Sequence, residues 1–370
     1  MTPFSTRLTV DLGERSYPIE IGAGTLGGLG ARMKQLGVGG RRVFVVSDTN
    51  VAPLYAAEAT RSLQEAGYTA TFMAIRAGEE SKSLETLEGL YVFLLDGGVS
   101  RSNAIVALGG GVVGDLAGFA AATILRGIDF VQVPTTLVSM VDSSVGGKTG
   151  INHAKGKNLI GAFWQPRLVL ADTDSLRTLP RGELVSGMGE VIKHGVIRDA
   201  AYFEFLEKDI DRILALEPEA IGRVVEGSCR IKAAVVAADE RETAGVREHL
   251  NFGHTIGHAL ESVAGYGSFR HGEAVAIGMV AAGRLALRRA LWPQADQDRL
   301  ERLIERAGLP VRIPRALAQN SAALLQAMRI DKKVRDGALR FVLPERIGAV
   351  RIAGDITDKE VRSAIEESAA

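Results

Sequence analysis

The sequence is short of several things, and each shortage excludes a class of protein. Of its 370 residues only Cys229 is a cysteine. No intrachain disulfide framework and no cysteine-based zinc site can be built from one thiol, which suits a reducing cytosol. Net charge is absent, with Lys+Arg and Asp+Glu equal at 44 each. No basic face is announced, so nucleic acid is not the expected partner. No apolar run approaches membrane-spanning length, and residues 1–7 hold no apolar core of a signal peptide. Neither secretion nor a membrane span is expected, and the expected location is the cytoplasm. Aromatics are scarce at 5%. What is plentiful is glycine, at 43 residues, and hydrophobic side chains, at 46%. That pairing suits an enzyme with large cores and many close backbone approaches to ligands.

The length suggests two domains. Residues 8–12 and 17–21 read as an opening β-hairpin. Short apolar runs at 42–47, 69–75, 104–108 and 128–133 read as buried parallel strands. Helical patterns at 84–95 and 112–125 lie between them. Alternating strands and helices predict a parallel sheet covered on both faces. Residues 135–161 then turn dense in Gly, Ser, Thr and Lys, a long polar stretch of the kind that usually serves function. Beyond Leu179-Pro180 the pattern is mostly helical, broken by a small hairpin at 339–343 and 350–352. The expected division is an α/β domain over 1–180 and a mostly helical domain over 181–370.

Four of the six histidines, His249, His254, His258 and His271, fall in one short region. His254 and His258 share a helix face by their spacing. This pair without the glutamate of HExxH reads either as a metal or proton-transfer site, or as two core or surface histidines. The third histidine and a nearby acid favour metal, because a catalytic divalent site needs three protein ligands. Glu190, Lys193 and His194 also share a helix face, and carboxylate with histidine suits zinc. Gly109-x-Gly111-x-x-Gly114 follows a strand and opens a helix, as a dinucleotide fingerprint requires. The acid expected at the end of the next strand is replaced by Pro134-Thr135-Thr136, so the match is partial, and Asp48 can hold the ribose instead. Gly146-Gly147-Lys148-Thr149 resembles the tail of a P-loop, but Asp142 stands where its first glycine belongs. No ATP site follows, although backbone amides with Lys148 can hold an anion.

These stretches, with Gly156-Lys157-Asn158-Leu159, Gly189-Glu190-Val191-Ile192-Lys193 and Arg270-His271-Gly272-Glu273, resemble the 3-dehydroquinate synthase family over nearly the whole chain. The resemblance implies an α/β nucleotide-binding domain with a parallel sheet and a mostly α-helical metal-binding domain. It implies Zn2+ (or Co2+) held by Glu190, His254 and His271. NAD contacts match Asp48, Asn50, Glu79, Lys82, Gly110, Gly111, Val112, Asp115, Thr135, Thr136, Lys157 and Thr178. Catalytic positions match Asp142, Lys148, Asn158, Lys193 and His258. Arg126, Lys232, Arg247, Asn251 and one of Lys332 and Lys333 match substrate contacts. The implied enzyme is a phosphate-eliminating cyclase, a lyase of the shikimate pathway. It turns 3-deoxy-arabino-heptulosonate 7-phosphate, a phosphorylated sugar acid, into 3-dehydroquinate. The steps are transient oxidation by NAD, β-elimination, re-reduction and aldol closure. A homodimer is implied as well. A sister sugar-phosphate cyclase and a metal-dependent polyol dehydrogenase are the alternatives. The departures are small: Gly189 where alanine is usual, and His194 where tyrosine is common, and neither removes a ligand.

Overall fold

The computed structural model describes residues 5–265, 267–332 and 339–370. In chain order the elements begin with β1 (Ser5–Val10), β2 (Tyr17–Gly22), α1 (Leu29–Gln35), β3 (Arg42–Asp48), α2 (Ala52–Glu65) and β4 (Thr69–Ile75). Next come α3 (Leu84–Asp96), β5 (Ala104–Gly109), α4 (Gly111–Thr123) and β6 (Asp129–Pro134). A π-helical turn over Ser139–Ser143 leads to β7 (Lys148–His153), β8 (Gly156–Phe163) and β9 (Leu168–Asp172). Then follow α5 (Arg181–Arg198), α6 (Ala200–Leu214), α7 (Pro218–Ala238), α8 (His254–Ala264) and α9 (His271–Arg288). The chain closes with α10 (Gln294–Arg306), α11 (Arg315–Gln319), α12 (Ser321–Lys332), β10 (Phe341–Arg346), β11 (Ala349–Ala353) and α13 (Asp358–Glu367).

Two compact units emerge. One holds Met1–Leu179 with Pro218–Arg241, the other Pro180–Glu217 with Glu242–Ala370. A single cut at residue 180 therefore does not describe the chain, because α7 counts with the first unit. An amphipathic helix shows in its sequence that it buries a face, but not against what.

In the first unit, among the described residues, seven strands form one sheet in the order β1-β2-β9-β6-β5-β3-β4. All neighbours are parallel except β1 and β2, the expected hairpin. Alternate residues of β3 serve opposite faces. Val43 and Val45 pack with Leu29, Met33 and Leu63, while Phe44 and Val46 pack with Leu87, Leu90 and Leu116. Both faces are covered, which is why these strands read as continuous apolar runs. Truncating a side chain such as Phe130 in this core costs roughly 3–5 kcal/mol. The strand order reverses between β3 and β5. Ligands of open α/β sheets bind at such a point, outside the carboxyl ends of the strands. Asp48 and Gly109 stand at those two ends.

The polar stretch after Pro134 holds more order than its composition suggests. Its second part is the antiparallel hairpin of β7 and β8. Glycine allows that pairing to be close: a Cβ on Gly161 would lie 2.2 Å from Thr149 O. The second unit is mainly helical, with β10 and β11 as the expected small hairpin.

Candidate active site

In the first unit, α4 starts directly on the glycines that end β5. Its N-cap, Gly110, carries no side-chain cap, so first-turn amides point outward as in an anion-binding helix start. The third fingerprint glycine packs the helix onto the sheet, since a Cβ on Gly114 would meet Gln132 Oε1 at 2.7 Å. Val112 lies in the first turn. Asp48 Oδ1 accepts from the amides of Asn50 and Val51, at 2.8 and 3.0 Å. At the end of β6, Thr135 is buried and its hydroxyl has no hydrogen-bond partner among the described residues. Thr136 Oγ1 lies 2.8 Å from Ser139 Oγ. Thr178 Oγ1 lies 2.5 Å from the Tyr55 hydroxyl. Tyr55, Leu108, Pro134, Thr135 and Ser175 line one pocket of this unit.

Lys82 ties the predicted residues of this unit together. It is 4% exposed, and its Nζ donates to Asp115 Oδ2 at 2.7 Å and Asn158 Oδ1 at 2.5 Å. Glu79 Oε1 is 3.9 Å away and accepts from Asn152 Nδ2 at 2.8 Å. Burial pushes the Asp115 carboxyl up, and Lys82 opposes that shift. Lys232, on α7, donates from Nζ to Asp142 O and Asp142 Oδ1, both at 2.5 Å. Lys148 is exposed at the start of β7, and Lys157 is half-buried in β8. Asn158 and Arg126 both adopt left-handed backbone, with φ of 56° and 69°, a conformation asparagine takes readily but that is uncommon and costly for arginine.

In the second unit, α5, α8 and α9 bring the predicted ligands together. Glu190 Oε1 lies 3.3 Å from His271 Nε2 and 3.6 Å from His254 Nε2. Glu190 is fully buried, and its Oε1 accepts no hydrogen bond of good geometry among the described residues. Its other oxygen accepts from Lys193 Nζ. Burial alone would raise the Glu190 carboxyl, but the Lys193 ammonium, with His271 and His254, holds it well below the usual carboxylate range. Burial lowers His254, helped by Lys193. Burial also opposes a charged His271, but contact with the Glu190 and Glu261 carboxylates outweighs it and raises the ring to about 10.

The far side of each ring is held as well. His254 Nδ1 lies 3.2 Å from Phe252 O, and His271 Nδ1 lies 3.6 Å from Glu261 Oε2. Oxygen partners at Nδ1 fix a ligating imidazole with Nε2 aimed at the metal. Donors bound tetrahedrally at zinc distances sit about 3.3 Å apart, so an orphaned carboxylate oxygen with two Nε2 atoms at these separations fits such an ion. Glu261 carries no role in the sequence reading. Its spacing from His254 and His258 puts it on their helix face and was the available signal.

His258 lies edge-on to His254 and tilted to His271, with ring centroids 5.2 and 6.0 Å away. Arg247 is buried, with Nε 3.6 Å from Glu242 Oε1, and Asn251 is half-buried nearby in sequence. Lys332 ends α12, and Lys333 lies outside the described residues.

Glycines let these three helices approach. Gly253, before His254, has φ 81°, and a Cβ there would meet Val275 O at 2.7 Å. A Cβ on Gly278 would lie 2.0 Å from Gly253 O.

Two family models match the chain: 3-dehydroquinate synthase N-terminal over residues 72–186 and 3-dehydroquinate synthase C-terminal over 187–334. The chain belongs to the 3-dehydroquinate synthase family. Relatives named 3-dehydroquinate synthase match it nearly end to end. The Desulforamulus reducens protein is 48% identical, covering 97% of this chain and 99% of its own. The Geobacter metallireducens protein is 52% identical, covering 93% and 94%. Among solved structures, 2-epi-5-epi-valiolone synthase from Streptomyces hygroscopicus, with NAD+ and Zn2+ bound, superposes with a TM-score of 0.87. It is 29% identical over 96% of this chain and 97% of that one. The α/β unit with its parallel sheet and the mostly helical unit are thus those of the 3-dehydroquinate synthase family. No helix among the described residues is long and apolar enough to cross a membrane.

Proposed function

We propose that this chain is a 3-dehydroquinate synthase. It converts 3-deoxy-arabino-heptulosonate 7-phosphate to 3-dehydroquinate with release of phosphate, using NAD and a divalent metal, Zn2+ or Co2+. The observation that carries the reading is the convergence of His254 Nε2 and His271 Nε2 on Glu190 Oε1, in a chain about half identical to proteins of that name. When bound, the two cofactors supply a transient oxidation with its reversal and an electrophile for the reacting oxygens.

The chain's own residues divide the rest of the work. Glu190, His254 and His271 hold the metal, and Lys193 keeps Glu190 ionised. The uncapped start of α4 and the unpartnered Thr135 hydroxyl suit a pyrophosphate and its nucleoside. Asp48, Asn50, Glu79, Lys82, Asp115, Thr136, Lys157 and Thr178 belong to that same nucleotide site. Lys148, Arg126, Lys232, Arg247 and Asn251, with one of Lys332 and Lys333, meet a substrate that carries both carboxylate and phosphate. Asp142 and Asn158 orient these cations and the substrate. His258, beside the ligand rings, moves a proton. The left-handed backbone of Arg126 supports a functional reading of that residue, because strain of this kind gathers at active sites. The protein works as a cytoplasmic homodimer.

A sister cyclase acting on sedoheptulose 7-phosphate is the second reading, favoured by the close superposition on the valiolone synthase. Arg247 and Asn251 speak for the substrate with a carboxylate. Phosphate release by metal-loaded protein with NAD separates the two. Heptulosonate 7-phosphate, sedoheptulose 7-phosphate and glucose 6-phosphate are offered in parallel while NADH absorbance is followed. Phosphate from the first alone, sensitive to chelator and without net NADH, is expected. Phosphate from either of the others alone moves the chain to a sister cyclase. Net NADH without phosphate makes it a dehydrogenase.

A further inference from the structure

Asn152, near the end of β7, stands between residues assigned to the nucleotide and a residue assigned to the substrate. The pairing of β7 with β8 slips beside it: Ile151 faces Ile160 and His153 faces Gly156, which leaves residue 152 opposite residues 157–159. Where a ladder slips, an amide must find another acceptor. The Asn158 amide finds Asn152 Oδ1, at 2.9 Å. Asn152 Nδ2 donates to Glu79 Oε1 at 2.8 Å, and the Asn152 amide donates to Lys82 O at 2.7 Å. The side chain can point only one way round, because a carboxylate accepts and an N–H donates. Glu79 and Lys82 bound a single 3-10 turn, so Asn152 holds both ends of it. Lys82 Nζ donates in turn to Asn158 Oδ1, which closes a ring through Asn152, Asn158 and Lys82.

We infer that Asn152 is a positioning residue with two arms. Its Nδ2 aims the Glu79 carboxylate at the nucleotide, and its Oδ1 holds Asn158 in the left-handed turn that meets Lys82. The inference rests on the nucleotide and substrate assignments above. The two arms ask opposite chemistry of one side chain. Glu79 needs a donor and Asn158 needs an acceptor, and a primary amide supplies both. Aspartate supplies the acceptor alone, and it sets a second carboxylate against the first, where like charges repel. Asn152 is half-buried and Glu79 is exposed, so a change here moves the site while the fold survives.

The test measures NAD affinity by calorimetry, and kcat at saturating NAD by phosphate release from heptulosonate 7-phosphate. It compares zinc-loaded N152D, N152A, E79Q and the double variant N152D/E79Q. N152D keeps an acceptor for Asn158 but repels Glu79. It should weaken NAD by about 10-fold or more, the scale of a hydrogen bond to a charged group, with a smaller fall in kcat. N152A loses both arms, so kcat should fall by about 10-fold as well. In N152D/E79Q an amide at 79 can donate to a carboxylate at 152, which restores the bond with its partners exchanged and the charge of the pair unchanged. The cost of N152D in NAD affinity should therefore vanish in the E79Q background, an exchange that a merely structural asparagine would not give. N152D with wild-type NAD affinity overturns the inference, as does an equal cost of N152D in both backgrounds, or N152A with wild-type kcat. Loss of zinc from a folded N152D, a general effect reaching the second unit, overturns it too. If N152A does not fold, N152D with E79Q decides. Wild type that binds zinc but not NAD sinks the nucleotide reading itself, and the inference with it.

Discussion

Lys82 in the first unit and Lys193 in the second are both buried against carboxylates, at 4% and 1% exposure. The surroundings of the two pairs differ. Lys82 donates to Asp115 and Asn158 and faces the more distant Glu79 carboxylate. Its main partner stays raised, because burial outweighs the single ammonium. Glu190 faces the Lys193 ammonium and the raised His271, and there these charges outweigh burial. The first arrangement is a polar tie joining a loop, α4 and β8. The second is a carboxylate kept charged with one oxygen uncommitted. A lysine beside a carboxylate therefore makes a polar tie in one unit and leaves a charged oxygen uncommitted in the other, and the nearby positive charge decides which.

Removing a ligand breaks the second arrangement. His271→Ala is expected to leave purified protein with almost no bound zinc and to cut phosphate release by about 1000-fold or more. Metal analysis alongside circular dichroism checks this, and a folded variant with full zinc and turnover refutes the ligand assignment. Breaking the first arrangement has the other signature. Lys82→Met strands a largely buried carboxylate and should cost about 2–4 kcal/mol in urea unfolding, with zinc content unchanged. A loss of zinc in that variant would erase the distinction between the pairs.

Cys229 sharpens the comparison, because it reports on the first unit alone. It is fully buried in α7, its Sγ donates to Met140 O at 3.2 Å, and burial pushes the thiol up to about 12. Since only the thiolate reacts, alkylation at pH 8 should be at least about 100-fold slower in native protein than in denaturant. Lys82→Met should speed it and His271→Ala should not.

The smallest effect belongs to the surface of the second unit. The Arg289 guanidinium, with Thr357, holds the Glu360 carboxyl down to about 2. A lowered folded value means the contribution is present above the unfolded value of about 4.3. It is lost as pH falls towards about 2. The pair is part-buried at the surface, with side chains 21% and 28% exposed, and solvent screening there limits it to about 1 kcal/mol. Wild type and Glu360→Gln should differ in melting temperature at pH 6 and converge near pH 2, and salt should shrink the difference.

Much of this was legible in the sequence. The apolar runs marked the parallel strands because both faces of the sheet are covered. The histidine spacing marked α8 because four residues make about one helical turn. Residues 148–163 did not declare their hairpin, since glycines and lysines there serve close pairing and exposed charge rather than an alternating core face. The partners of Lys82 and Lys232 were hidden for a different reason. They are 33 and 90 residues away in the chain, and no local pattern encodes such a distance.

The place of α7 has a consequence for how the protein is made. The first unit needs Pro218–Arg241, and Lys232 from that segment holds Asp142. A ribosome that has finished residue 179 has therefore not finished the unit. At 5–20 residues per second, the remaining stretch takes roughly 3–12 s. Through that interval the turn carrying Asp142 waits without its lysine, while helices of the other unit have already begun to emerge.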